Sequence, residues 1–264
     1  GGGHGASGAD NAARDISITG GGKVTLQGKI FSSTGVAVSS ATDVDVKGTT
    51  IAGSHLEVKA GQSAANVGSI AGDIWGDLRS GGEIVLTAGA VGGDIILPQT
   101  SLSAAGDVTL TAAAGIVAHS EGLLAAQSLT ATARDGVTAN ALVPSLDVLV
   151  TGAGNIGIDN AGAVTLTRLD AANGSIIIRA LGAITALDVI TRGGSDANDI
   201  ELTTLAAGAA PADLDVRRLI ANGAGDIVLN VQGAFTQTTP AAGGSSIVAD
   251  ALSLTVPGGV TLDT

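Results

Sequence analysis

Four acidic residues are the candidates for acid–base chemistry, because each comes directly before a short apolar run. They are Glu83, Asp107, Asp199 and Asp226, which should form one column along the chain's repeats, with Glu83 and Asp107 on adjacent turns and likewise Asp199 and Asp226. Two carboxylates close enough to perturb each other's protonation are the usual mark of acid–base catalysis. In a carbohydrate-active enzyme, arginines would have to converge on such pairs, and the candidates are Arg179, Arg217 and Arg218. Gly followed by Asp, Asn or Ser is also typical turn chemistry. We therefore favour turn residues over a cation site or a catalytic role, and predict no catalytic residues.

Metal and cofactor sites are not indicated either. The three histidines, His4, His55 and His119, show no ligand spacing, and Trp75 is the only indole that could support a sugar ring. The segment 193–200 resembles one calcium-binding nonapeptide of a β-roll, a motif that works by tandem repetition. It occurs once and lacks the middle glycine. We predict no metal and no cofactor.

Threonine rows and glycine runs give two further possibilities. An ice-binding face needs a regular Thr-x-Thr array, and only Thr109/Thr111 and Thr130/Thr132 fit that pattern. A phosphate-binding loop needs Lys followed at once by Ser or Thr between its glycines and a helix, which no glycine run here provides. Neither function is favoured.

The composition indicates an ordered β protein with an aliphatic interior. Of 264 residues, 45% are hydrophobic and 41 are Gly, but there are only two Phe, one Trp and no Tyr. The net charge of −12 disfavours nucleic acid as a partner. The absence of Cys excludes disulfides. The chain contains no run of 18 apolar residues, so the sequence predicts no membrane-spanning helix. Because the chain contains no Met, we expect it to be a processed or cut piece of a longer protein.

A short apolar alternation recurs along the chain at intervals of 20 to 28 residues, which is typical of a stacked β-repeat. Its eleven first members are Ile16, Val36, Leu56, Ile84, Val108, Leu129, Ile156, Ile176, Ile200, Ile227 and Leu252. A second apolar position follows eight residues later in most repeats, and eleven or fourteen later at Ile95, Ile70 and Leu214. A third, weaker position follows after a Gly-rich stretch.

Three short strands per repeat predict a single-stranded parallel β-helix, right-handed, of about eleven coils and about 50 Å in length. The rod should span residues 15–264 after an irregular start at 1–14, with longer connections near 61–82, 88–93 and 206–213. Polar residues three after each first member support one outward column: Thr19, Ser39, Lys59, Thr87, Thr111, Thr132, Asp159, Arg179, Thr203, Asn230 and Thr255. An α/β fold is disfavoured because the Ala-rich stretches are short and are interrupted by Gly or Pro. A β-sandwich stays an alternative, since alternation alone does not distinguish parallel from antiparallel strands.

The repeats resemble a known family. Segments 164–178 (VTLTRLDAANGSIII), 105–111 (AGDVTLT) and 225–229 (GDIVL) are similar to repeats of filamentous-haemagglutinin-like exoproteins, large β-helical adhesins of Gram-negative bacteria exported by two-partner secretion. The resemblance covers most of the chain, but the repeats are degenerate, and autotransporter passengers share their pattern. The family's secretion domain carries Asn-Pro motifs, whereas no proline here follows Asn. The chain therefore resembles the shaft rather than the secretion domain.

The resemblance implies a non-catalytic structural or adhesive rod at the outer cell surface, with an unidentified host, matrix or cell-surface ligand. A segment of a self-associating filament or matrix, with end-to-end or lateral contacts, is the related alternative. A carbohydrate-active β-helix enzyme is the alternative from another class.

Overall fold

The structure, a computed structural model, describes residues 13–61, 68–72, 76–89, 91–118, 122–208, 211–238 and 246–262. These residues form thirty β-strands and no helix. The strands are β1 (Ala13–Gly20), β2 (Val24–Leu26), β3 (Lys29–Ser40), β4 (Val44–Val46), β5 (Thr49–Ala52), β6 (His55–Ala60), β7 (Ile70–Gly72), β8 (Asp77–Ser80), β9 (Glu83–Ala88), β10 (Ile95–Ile96), β11 (Ser101–Ala104), β12 (Asp107–Ala112), β13 (Ile116–Ala118), β14 (Leu124–Ala125), β15 (Ser128–Ala133), β16 (Val137–Leu142), β17 (Ser145–Ala153), β18 (Ile156–Asn160), β19 (Val164–Asn173), β20 (Ile176–Leu181), β21 (Ile184–Ala186), β22 (Val189–Thr191), β23 (Ile200–Leu205), β24 (Leu214–Val216), β25 (Leu219–Ala221), β26 (Ile227–Asn230), β27 (Phe235–Gln237), β28 (Ile247–Val248), β29 (Leu252–Thr255) and β30 (Val260–Leu262).

The strands pair in parallel with those one turn before and one turn after, which makes a β-solenoid of about eleven turns. The prediction of a parallel β-helix is confirmed, and the α/β and β-sandwich alternatives are wrong. The right-handed sense stays a prediction.

Three columns of inward residues define three faces of the solenoid. Face A contains Ile16, Val36, Leu56, Ile84, Val108, Leu129, Leu146, Leu166, Ala186, Val216, Gln237 and Leu262. Face B contains Val24, Val44, Ile70, Ile95, Ile116, Val137, Ile156, Ile176, Ile200, Ile227 and Leu252. Face C contains Ile30, Thr50, Leu78, Leu102, Leu124, Ala141, Asn160, Ala180 and Thr204.

Stacked aliphatic side chains stabilise these short strands, which could not persist alone. In β6, Leu56 and Val58 are fully buried, while Glu57 and Lys59 are partly exposed on the outer surface. Among the described residues, the buried hydrophobic side chains are Ala, Val, Ile and Leu, apart from Phe235. The interior is therefore too narrow for regular use of aromatic rings, as the composition predicts.

The sequence-based register of the first-member positions is wrong at one place, between Leu129 and Ile156. Leu129 pairs with Leu146 on face A, and Ile156 pairs with Val137 on face B. The first-member positions therefore change face halfway along the rod, and the single outward column from Thr19 to Thr255 is two half-columns. The cause is β17, a strand of nine residues that the repeat scheme did not include. Around it the coil is short, and Leu146 follows Leu129 by only seventeen residues.

A change in strand length accompanies this transfer. In the first turns the long strand lies on face A, as in β9 and β12, while faces B and C are formed by separate short strands. From β16 to β23 one strand covers faces B and C, and after β19 face A is divided into short pairs such as β21 and β22. The apolar spacing looks uniform because the long strand moves from one face to another.

The predicted boundaries also need correction. Strand β1 begins at Ala13, inside the expected irregular start 1–14, whose residues 1–12 lie outside the described part. The region 61–82 contains β7 and β8, so it continues the rod rather than forming one long connection. The connections near 88–93 and 206–213 contain Gly89 and Gly208, each with positive φ.

Glycines permit the close stacking of corners. A Cβ at Gly81 would collide with the carbonyl oxygen of Gly53 one turn away. Glycine at such a corner lets one backbone lie directly on the next.

Candidate functional site

The residues preceding the face B strands form a continuous column of turn caps. Their backbone carbonyls accept the N–H of the first strand residue one turn before, as Asp226 does from Ile200 and Asp199 does from Ile176. The column consists of Asp43, Ser69, Asp94, Gly115, Gly136, Asn155, Ser175, Asp199, Asp226 and Ala251.

Side chains in this column cap the neighbouring turn as well. Asp199 Oδ1 accepts the N–H of Asp226 at 2.9 Å, and Asp226 Oδ1 accepts the N–H of Ala251 at 3.0 Å. Towards the other end of the rod, Asp94 Oδ1 accepts the N–H of Gly115 at 2.7 Å. Asp199 and Asp226 thus lie on successive turns, as predicted, and their contacts are those of turn residues.

Glu83 and Asp107 lie elsewhere, at the edge of face A. Asp107 Oδ1 accepts a hydrogen bond from Ser128 Oγ at 2.6 Å. Glu83 Oε1 lies 3.0 Å from His55 Nδ1, an ion-pair distance without hydrogen-bond geometry. The four acidic residues therefore occupy two different edges of the rod, and the expectation that they share one column is wrong.

The candidate arginines are not brought together either. Arg179 lies on β20, 3.9 Å from Glu201, whereas Arg218 precedes β25 on face A and pairs with Asp188 at 2.9 Å. Arg217 is exposed beside Arg218. The groove that a carbohydrate-active enzyme needs, with these arginines facing the carboxylate pairs, is not formed by these residues.

A row of ion pairs joins successive turns of face A, and sequence analysis missed it. Arg168 lies 2.8 Å from Asp147, and Arg192 binds Asp170 through two hydrogen bonds of 2.6 and 2.7 Å. The hydrogen bond to Asp170 and then its charge raise the pKa of Arg192. These ion pairs could have been predicted from opposite charges spaced by one coil length, but only with the correct register. A similar contact with Asp45 raises the pKa of Lys23.

The calcium-like segment is held by its own hydrogen bonds. Asn198 is almost fully buried, and its Nδ2 donates to Asn173 Oδ1 at 3.2 Å. Ser195 Oγ accepts the N–H of Ala197 at 3.2 Å. Within the described ranges, no three His, Asp or Glu side chains are grouped to hold a metal ion.

The threonine pairs do lie in register on the outer surface. Thr109 pairs with Thr130 and Thr111 with Thr132. The array ends after these two turns, because Asp147 and Leu149 occupy the next positions.

An open groove of about 460 Å³ lies on the outer surface of faces B and C. Its lining includes Asp159, Arg179, Leu181 and Leu205, and both leucines are 42% exposed. Sequence analysis missed this groove because the incorrect register did not align Asn140 with Asp159, which line it from neighbouring turns.

The predictions on His4, His119 and Trp75 concern residues outside the described part of the chain. The described residues include no helix that is long and apolar enough to cross a membrane. No protein-family model, curated protein or solved structure matches this chain.

Proposed function

We propose that this chain is a segment of a non-catalytic rod, structural or adhesive, that is carried on the outer surface of a Gram-negative bacterium. The observation that supports the proposal most is the uninterrupted stack of about eleven turns. Each turn contacts its neighbours through the same parallel pairing, so the fold extends in one direction. A fold of this kind can act as a spacer between the segments at its two ends.

The use of the charged residues supports the same proposal. Asp199 and Asp226 cap neighbouring turns, and Asp147, Asp170 and Asp188 pair with arginines from other turns. These side chains join one coil to the next, which is a structural role. The resemblance of the repeats to filamentous-haemagglutinin-like exoproteins supplies the proposed location, secretion route and adhesive role.

The location is tested by labelling intact producing cells with antibodies against residues 13–262 and by digesting surface proteins with an added protease. We expect labelling and digestion without breaking the cells. Labelling only after lysis would contradict the proposal.

Adhesion and catalysis are tested separately with the purified 264-residue chain. Binding to host cells or matrix proteins without turnover of any polysaccharide is the expected result. Reproducible polysaccharide cleavage, abolished by Glu83→Gln with Asp107→Asn or by Asp199→Asn with Asp226→Asn, would replace the proposal with the enzyme alternative.

Lateral self-association is a second candidate, within a filament or matrix. It is favoured by the exposed leucines of the groove on faces B and C, since contiguous exposed apolar surface marks interaction sites.

A further inference from the structure

Strands β16, β18, β20 and β23 form a continuous sheet whose outer side lacks a covering element among the described residues. Each of these strands spans faces B and C without an intervening corner. Their outward positions align across turns, so that Asn140, Asp159, Arg179 and Thr203 form one column. We call this outer surface the BC sheet.

The two middle strands of the BC sheet have opposite outward character. On β18 and just beyond it, the outward residues are Gly157, Asp159 and Ala161, which are small, acidic and small. On β20 the aligned residues are larger or basic, and they are Ile177, Arg179 and Leu181. The Arg179 side chain is 53% exposed, and its contact with Glu201 is long, at 3.9 Å.

The glycine in β18 is not required by the rod itself. Gly157 does not have a positive φ, and a Cβ there would meet only Thr138 Cγ2, at 3.9 Å. Glycine inside a strand weakens the strand, and it often marks a place where another molecule approaches closely. The empty space lies on the outer side, next to the groove.

We propose that two copies of this chain pair face to face through the BC sheet, in antiparallel orientation. The twofold axis lies parallel to the strands, midway between β18 and β20. With this axis, each outward column faces the same column of the partner, and the order of the turns along the rod is reversed in the partner. Asp159 then faces the partner's Arg179, Gly157 faces the partner's Ile177, and Ala161 faces the partner's Leu181.

Charge and size complementarity both select this arrangement. Each large residue of β20 meets a small residue of β18, and each of the two Asp–Arg pairs joins opposite charges across the interface. At the margin, Leu142 faces the partner's Leu205, and these side chains are 45% and 42% exposed. A parallel arrangement would place Asp159 against its own copy and Arg179 against its own copy, which is unfavourable.

The size of the surface predicts weak pairing. Four strands spaced by about 4.8 Å, with five residues of about 3.3 Å rise each, cover about 300 Å² per copy. Stable interfaces bury about 800 Å² per partner, so we expect dimers only at high micromolar concentration or where rods from two facing surfaces are crowded together. This inference makes the proposed lateral self-association specific, and it rests on the rod fold without requiring an adhesive role.

Sedimentation of the 264-residue chain between 10 and 500 μM tests the pairing. We expect a monomer–dimer equilibrium that Asp159→Arg and Arg179→Asp each weaken at least tenfold. The double variant Asp159→Arg/Arg179→Asp should restore dimers, because the opposite charges then face each other again. Gly157→Val should abolish pairing while far-UV circular dichroism stays unchanged, and Arg217→Asp, on face A, is the matched control that should leave pairing intact.

Cysteine variants of this cysteine-free chain test the orientation. A mixture of Leu142→Cys and Leu205→Cys chains should form the mixed disulfide dimer, and either variant alone should not crosslink. Leu142→Cys dimers on their own would overturn the antiparallel arrangement. A monomer at 500 μM, or a double charge variant that stays monomeric, would overturn the inference itself. Failure of the pairing would leave the proposed rod function unaffected. Polysaccharide cleavage by the chain would overturn the proposed rod function but not the pairing.

Discussion

Asp199 illustrates, at the scale of a residue, how a carboxylate can serve the fold without serving as an acid or a cation ligand. Its Oδ1 accepts the N–H of Asp226 at 2.9 Å, and its own N–H donates to Ser175 Oγ at 3.2 Å. We expect Asp199→Ala to lower the free energy of unfolding by about 1 kcal/mol, because one turn hydrogen bond is lost. The amide of Asp226 should also exchange faster with deuterium.

The matched variant for this prediction is Asp199→Asn, which keeps the acceptor oxygen and removes the charge. It should retain most of the stability and the slow exchange of Asp226. If Asp199→Asn is as destabilised as Asp199→Ala, and added Ca²⁺ raises the melting temperature of the wild type alone, the residue is a cation ligand and the turn-cap interpretation is wrong.

The ion pair between Asp170 and Arg192 is the most enclosed charge contact of the face A row. Asp170 is only 8% exposed and accepts both guanidinium hydrogen bonds. Arg192→Ala leaves this carboxylate without its partner. We expect the free energy of unfolding, measured by chemical denaturation, to fall by about 2 kcal/mol. Asp170→Ala/Arg192→Ala should be less destabilised than Arg192→Ala. The control is Arg79→Ala, which removes an exposed pair with Asp77 and should cost less than about 0.5 kcal/mol.

At the scale of elements, the sequence predicted nearly every strand but not the column to which each belongs. Alternating apolar residues identify a strand such as β6 because Leu56 and Val58 must point inward while Glu57 points outward. They do not say which face of the coil a strand covers, since the aliphatic residues on all three faces are alike. The Leu-x-Val-x-Val run of β17 fell between two assumed repeats, so the shift from face A to face B went unnoticed. The ion pairs and the BC sheet could not be derived for the same reason.

Deletion of whole turns tests the corrected register. Removing residues 129–145 joins Ser128 to Leu146, which occupies the same face A position as Leu129. We expect this shortened chain to keep its β-sheet circular dichroism and cooperative unfolding. Removing residues 129–155 joins Ser128 to Ile156, as the uniform repeat would suggest, but places a face B strand on face A. That chain should be unfolded or aggregated, and equal behaviour of the two deletions would contradict the register.

At the scale of the whole molecule, the stacking makes each turn depend on its immediate neighbours. The face A column shows this, because Leu86 contacts the turns of Val58 and Leu110 and pairs with no strand farther along the rod. Stability in such a stack is approximately a sum of turn and nearest-neighbour contributions. Disruption of one turn should therefore unfold only that turn and the adjacent turns that depend on it for stability.

Leu86→Asp is the change that tests this locality. Leu86 is fully buried. A buried polar group without a hydrogen bond lowers the free energy of unfolding by about 2 to 7 kcal/mol, and we expect a cost of at least this size for an unpaired carboxylate at this position. Hydrogen exchange should become fast in β6, β9 and β12, while amides of β20, β23 and β26 keep most of their protection. Thr87→Asp places the same charge on the outer surface of the same strand and should leave both regions protected. Equal loss of protection along the entire chain in Leu86→Asp would mean that the rod unfolds as one cooperative unit, contrary to nearest-neighbour stacking.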